Sequence, residues 1–230
     1  NVIYDSEHRY LIDDIVYMFM YVDMIILLVI MIVVGGVVAD EFNKGTIKQL
    51  LVRPFSRSKI LLSKIIASMI MVMLFAILYY FIYIVAYSIY YSNFSALFSS
   101  VVDYNFNTHS AFEMNVLLYC IVRLLAILPQ YVIMFIFVLF ISIVSASAVG
   151  AIGAGFGLIF ISETVKMMLP AKYLAYLPTY CWDWSSFLFG GVSDNEYLTF
   201  TKAIIVCVVT VVLLVIGSFL AFKKKDIKNQ

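Results

Sequence analysis

An all-α, polytopic transmembrane bundle is the fold class that three observations predict. The 230 residues are 64% hydrophobic and 13% charged, with a mean hydropathy of +1.04. A soluble globule of this length needs more polar surface than that. The apolar residues gather into long runs, and the charges collect at the ends of those runs. A run of about twenty residues crosses a hydrocarbon core of roughly 30 Å as a helix, since a helix satisfies its own backbone where water is absent.

Five spans follow in order. The first covers Ile15 to Ala39 and holds one charge, Asp23. The second, Ile60 to about Tyr91, exceeds one perpendicular crossing and must tilt or protrude. The third, Asn115 to about Ser145, carries Arg123 and Pro129 in its first half, which predicts a kink or an interfacial piece before a shorter span. After a tight Ser-Ala-Ser turn at 145–147, the fourth runs from about Ala148 to Ile161, short unless it recruits neighbours. The fifth covers Thr201 to Phe222 and stops at Lys223, Lys224 and Lys225.

Orientation follows from Lys and Arg near the span ends. Lys44, Lys48, Arg53, Arg57 and Lys59 fall in the loop at 40–59, and Lys223, Lys224, Lys225 and Lys228 in the tail, whereas 92–112 has none. The loop and the C-terminus are therefore expected in the cytoplasm, with external segments at 1–14, 92–114 and 162–200. Tyr79, Tyr80, Tyr83, Tyr87, Tyr90 and Tyr91 crowd the external half of the second span, at headgroup level or in plain helix packing. The segment 162–200, with Pro170, Pro178, Trp182, Trp184 and Gly190-Gly191, is expected to form short interfacial or re-entrant helices.

A net charge of +1 points to neither nucleic acid nor an acidic ligand. Cys120, Cys181 and Cys207 are too scattered for a disulfide framework or a metal site and read as packing residues. Gly150, Gly153, Gly155 and Gly157 mimic a phosphate loop, but no strand precedes them and no Lys-Ser or Lys-Thr follows. Gly153 and Gly157 instead form a small-xxx-small face for close helix approach. Asp23 and Arg123 should lie at similar depth; they either pair, or Arg123 snorkels while Asp23 sits in a wet vestibule.

The loop is the most informative stretch. Phe42, Ile47, Leu50 and Leu51 form an apolar face on a helix from about Asp40 to Val52, with Lys44 and Lys48 opposite. Gly45 weakens its middle, and Pro54 ends it. Glu41, Gly45, Thr46, Leu50, Leu51, Pro54 and Arg57, placed between two apolar runs, resemble the type 2 ABC exporter permeases of bacteria, including antibiotic and peptide exporters.

That resemblance covers nearly the whole chain as a single permease domain. It implies that the loop is a coupling helix seated in a cytosolic ATP-binding subunit. It further implies a second permease of the same or another kind, and ATP and Mg held in the partner subunit with no cofactor or catalysis in this chain. The family's six spans imply a further span upstream of Asn1. Its members export hydrophobic or amphipathic cargo across the plasma membrane. A loop resting on anionic lipid would explain the Lys and Arg but not the rest of the pattern. Secondary transport, or a membrane scaffold or sensor, are the alternatives to export.

Overall fold

The computed structural model describes residues 6–43, 56–90, 98, 100–105, 110–188 and 196–224. The fold is an all-α bundle whose five long helices are α1 (Ser6–Asn43), α2 (Arg57–Tyr90), α3 (Val116–Ser145), α4 (Ala148–Met168) and α8 (Phe200–Lys224). Each contains a stretch long and apolar enough to cross a membrane, and the protein is membrane-embedded. Three helices of one turn, α5 (Ala171–Leu174), α6 (Pro178–Cys181) and α7 (Ser185–Leu188), lie between α4 and α8. These are the short helices expected of the Pro-rich segment.

An antiparallel hairpin joins α2 to α3, with β1 (Ser100–Asn105) paired to β2 (Ser110–Asn115) in the register Ser100 to Asn115. The apolar-run reading had treated 92–114 only as an external connection. At the end of β2, Asn115 caps α3: its Oδ1 accepts from Leu117 N at 2.9 Å, and its Nδ2 donates to the Phe98 carbonyl at 3.0 Å. The hairpin therefore runs directly into a membrane helix.

α3 is the hub, packed on α1, α8 and α4. Its core face presents Tyr131, Met134, Phe135, Val138, Leu139 and Ile143 to Ile26, Ile30, Met31 and Val34 of α1. Of the two expected forms, a kinked helix or an interfacial piece before a shorter span, the continuous one is found: α3 is one helix from Val116 to Ser145 with Pro129 inside it. Neighbouring elements can re-satisfy the backbone that a proline frees. One residue on from Leu125, whose carbonyl Pro129 cannot bond for want of an N–H, the Ala126 carbonyl accepts from Trp184 N, of the segment before α7, at 3.2 Å.

α4 departs from expectation. It continues seven residues past Ile161 to Met168, so the 162–200 segment begins as membrane helix. The extension tolerates charge because Lys166 Nζ donates to Glu163 Oε1 one turn away at 2.6 Å. The Ser-Ala-Ser turn is present, with Ala146 in the left-handed region at φ 52° and Ser147 Oγ capping Gly150 N at 3.1 Å.

Among the described residues, no neighbouring helix packs against Gly153 or Gly157. A Cβ at either would meet nothing within 4 Å. Close packing between α1 and α4 falls instead on Gly155, whose Cβ would stand 2.6 Å from Met31 Sδ, and on Gly35, whose Cβ would stand 3.1 Å from Ile152 Cγ1. Within the chain, the close contacts of α4 thus fall on a different face from the one that carries Gly153 and Gly157.

Candidate functional site

Two polar junctions interrupt the apolar bundle, and the sequence reading had named only some of their members. The first lies where α1 and α2 approach the 44–55 loop. Glu41, in the last turn of α1, forms an ion pair through Oε1 with Lys64, in the second turn of α2. Glu41 Oε2 is enclosed and has no hydrogen-bond partner among the described residues. A carboxylate and an ammonium in an apolar span stabilise each other only together, so each holds the other helix in place.

Ser142 of α3 fixes the same end of α1 from another side. Its hydroxyl donates to the Gly35 carbonyl at 2.7 Å and accepts from Ala39 N at 3.2 Å, and the residue is 0% exposed. Gly35 and Ala39 are four apart, the spacing of one α-helical hydrogen bond. The Ser142 hydroxyl therefore bridges both ends of a single rung of the α1 ladder, an insertion of the kind that locates bends in long helices. Gly35 is the same residue that lets α4 come close, so α1 is gripped there by α3 and α4 together.

Of the other residues assigned to coupling by resemblance, Gly45, Thr46, Leu50, Leu51 and Pro54 lie outside the described residues. Arg57 is the first residue of α2. Asp40 to Asn43 are continuous with α1, so the proposed loop helix begins as an extension of a membrane span.

The second junction surrounds Asp23. Its Oδ1 accepts hydroxyls from Tyr80 of α2 at 2.6 Å and from Tyr131 of α3 at 2.7 Å. Asp23 is only 7% exposed, so it sits in a sealed contact among three helices and not in a wet vestibule. Arg123, half-buried on α3, and Asp183, before α7, both lie within electrostatic reach of that carboxylate. Tyr80 and Tyr131 were missed as partners of Asp23. Their signal was chemical: a carboxylate in an apolar span requires donors, and a buried tyrosine brings a polar tip on an apolar body.

Asp183 also organises the segment above the bundle. Its Oδ1 accepts from Ser185 N at 2.9 Å and from Ser185 Oγ at 2.5 Å. Below it, Cys207 of α8 donates its thiol to the Cys181 carbonyl at 3.2 Å, and Trp184 Nε1 donates to the same carbonyl at 3.1 Å. Burial, followed by the nearness of Cys207, pushes the Cys181 thiol up to about 12. It is a buried packing group, as its scattered position implied.

The family model for a protein of unknown function (DUF2705) matches residues 3–228. The chain belongs to that family. A 35-residue stretch of this DUF2705 member is 60% identical to "Uncharacterized protein YhcI" of Bacillus subtilis (strain 168), covering 15% of the chain and 11% of that relative's length. No solved structure matches the DUF2705 member.

Proposed function

We propose that the chain is the membrane-spanning permease subunit of an ATP-driven exporter. It would move a hydrophobic or amphipathic cargo, such as a peptide, an antibiotic or a lipid-like molecule, out of the cell across the plasma membrane. The observation that carries this reading is the basic, amphipathic loop at 40–59, set between two membrane helices that are bonded to each other at its base through Glu41 and Lys64. A push on such a loop enters α1 and α2 as a unit. It then reaches α3 through Ser142, because the hydroxyl holds the α1 backbone itself.

Mechanistically, closure of two cytosolic ATP-binding subunits would shift the spans between inward-facing and outward-facing states, with nucleotide biasing a two-state element. Glu41, Gly45, Thr46, Leu50, Leu51, Pro54 and Arg57 would form the contact with that subunit. ATP and Mg would be bound there, and a second permease would complete the pathway. The Asp23 junction would hold α1, α2 and α3 together on the opposite side of the membrane from the loop, in the closed state of the outer gate.

A co-isolation experiment tests this reading. Affinity-tagged chain drawn from its native membrane in mild detergent is expected to bring an ATPase with it. Gly45→Pro or Arg57→Glu is expected to abolish cargo-stimulated ATP turnover while the chain remains folded. Isolation with no ATPase, or turnover unchanged in both variants, contradicts the proposal. Under the secondary-transporter alternative, Asp23 would be the coupling acid; Asp23→Asn would then stop ion-driven uptake with no ATPase in the preparation.

A further inference from the structure

Between α3, α4, α6 and α8 lies a half-open cavity of about 290 Å³, walled by Ile133 and Phe137 of α3, Leu158 of α4, Pro178 of α6 and Leu214 of α8. Three hydroxyl residues also line it, Ser162, Thr179 and Thr210, and two of them turn the hydroxyl away from the space. Ser162 Oγ donates to the Ile159 carbonyl at 2.8 Å and Thr210 Oγ1 to the Val206 carbonyl at 2.7 Å, each within its own helix. The wall is thus almost entirely carbon. A water held there would lack the two to four polar partners that keep buried water in place.

The cavity also opens in a particular direction. Ile161 lines it and is 64% exposed, next to the exposed Phe160 on α4, and on α8 the lining residue Leu214 is followed outward by the exposed Leu213 in sequence. α3, α4 and α8 are membrane helices, so this mouth is continuous with the surface that faces bilayer hydrocarbon. A whole helix, some 10 Å across with its side chains, is too wide for such a space. A hydrocarbon chain entering sideways from the bilayer loses no hydration, and it gains the dispersion contacts that an empty void forfeits.

We infer that this cavity binds an acyl chain of a bilayer phospholipid. The chain threads between α4 and α8 and ends against Ile133, with Leu177 and the start of α6 as its roof. The site stands independently of the proposed export function, because it depends only on the bundle being in a membrane.

The test uses the full chain in nanodiscs containing a phospholipid with a photoactivatable diazirine at the end of one acyl chain. Adducts are mapped by peptide mass spectrometry. Ile133 decides the outcome, because it is 2% exposed and lies out of reach of lipid that merely surrounds the protein. Adducts on Ile133 or Leu158 are expected in the wild-type chain. They should be lost in the cavity-filling variants Thr210→Phe and Ser162→Leu, and retained in Leu213→Phe on the outward face. Adducts confined to Ile161, Leu213 and other outward residues in the wild-type chain overturn the inference without any variant having to fold. So does persistence of the Ile133 adduct in a folded, filled variant, or occupation of the cavity by a side chain of a second copy detected as a protein crosslink.

Discussion

Tyr131 donates its hydroxyl to Asp23 at 2.7 Å across 108 residues of chain, and this bond joins the two most deeply packed helices, α3 and α1. Tyr80 shares the same acceptor oxygen. The charge that looked exceptional in the first span is therefore a tie point for three helices.

Removing a donor at this junction should lower stability more than its size suggests. Tyr131→Phe and Tyr80→Phe each delete one hydroxyl and leave Asp23 less satisfied, a loss of about 1–3 kcal/mol for a buried acceptor. Thermal unfolding in detergent should show a lower Tm for each, with a double variant whose loss is not the sum of the singles, because both act on one oxygen. Asp23→Asn keeps the shape and should lie closer to wild type than Asp23→Ala. Wild-type Tm values in both tyrosine variants would refute the assignment.

The α1–α4 contact predicts a pattern among glycines that share one helix. Gly155→Leu should be poorly tolerated, since the first added carbon already meets Met31, which is buried, and overpacking costs about 1–3 kcal/mol. Gly153→Leu and Gly157→Leu should leave Tm unchanged, because nothing of this chain stands within 4 Å of the added carbon. Equal effects at all three positions would contradict the packing described.

The helical architecture was legible because five long apolar runs and the sites of charge are direct consequences of the bilayer. The starts of α3 and α4, next to Asn115 and Ser147, were legible from local sequence, whereas α8 runs past the expected end at Phe222 through Lys223 and Lys224. What the sequence concealed was tertiary. Gly155 and Gly153 are two residues apart on one helix and differ only in which of them faces Met31. Ser142 and Lys64 gain meaning only from backbone or carboxylate more than twenty residues away. The hairpin at 100–115 was hidden because its strands are only six residues long and are held by pairing with each other, which no long apolar run signals. The extension of α4 to Met168 was missed because Glu163 and Lys166 look like a solvated end until their pairing is considered.

The Glu41 to Lys64 pair predicts an exchangeable contact at the base of the loop. Lys64→Met and Glu41→Gln should each cost about 1–3 kcal/mol, reduced where the side chains reach water. The exchange Glu41→Lys with Lys64→Glu should recover most of the lost Tm. Under the proposed function, the single variants should also lower ATP-coupled export before they lower expression. No recovery in the exchanged variant would remove the pair as a structural link.

Thiol chemistry gives a pH-dependent prediction. The Cys181 thiol, pushed up to about 12, is neutral below that value, so at pH 9 its thiolate fraction is roughly one in a thousand. Iodoacetamide at pH 8 to 9 should leave Cys181 unmodified in folded protein and modify it after denaturation, where the thiol returns to the range of a free cysteine. Rapid modification of the folded protein at pH 8 would contradict its burial against α8.

Orientation, coupling and export all rest on the proposed cytosolic placement of the 40–59 loop, and the burial of Cys120, Cys181 and Cys207 leaves a clean background for an introduced thiol. Lys48→Cys in intact cells should resist a membrane-impermeant maleimide until the cells are permeabilised, while Tyr197→Cys in the 162–200 segment should react at once. Reaction of Lys48→Cys in intact cells at the rate of Tyr197→Cys would place the loop outside and contradict an ATP-driven permease built on it.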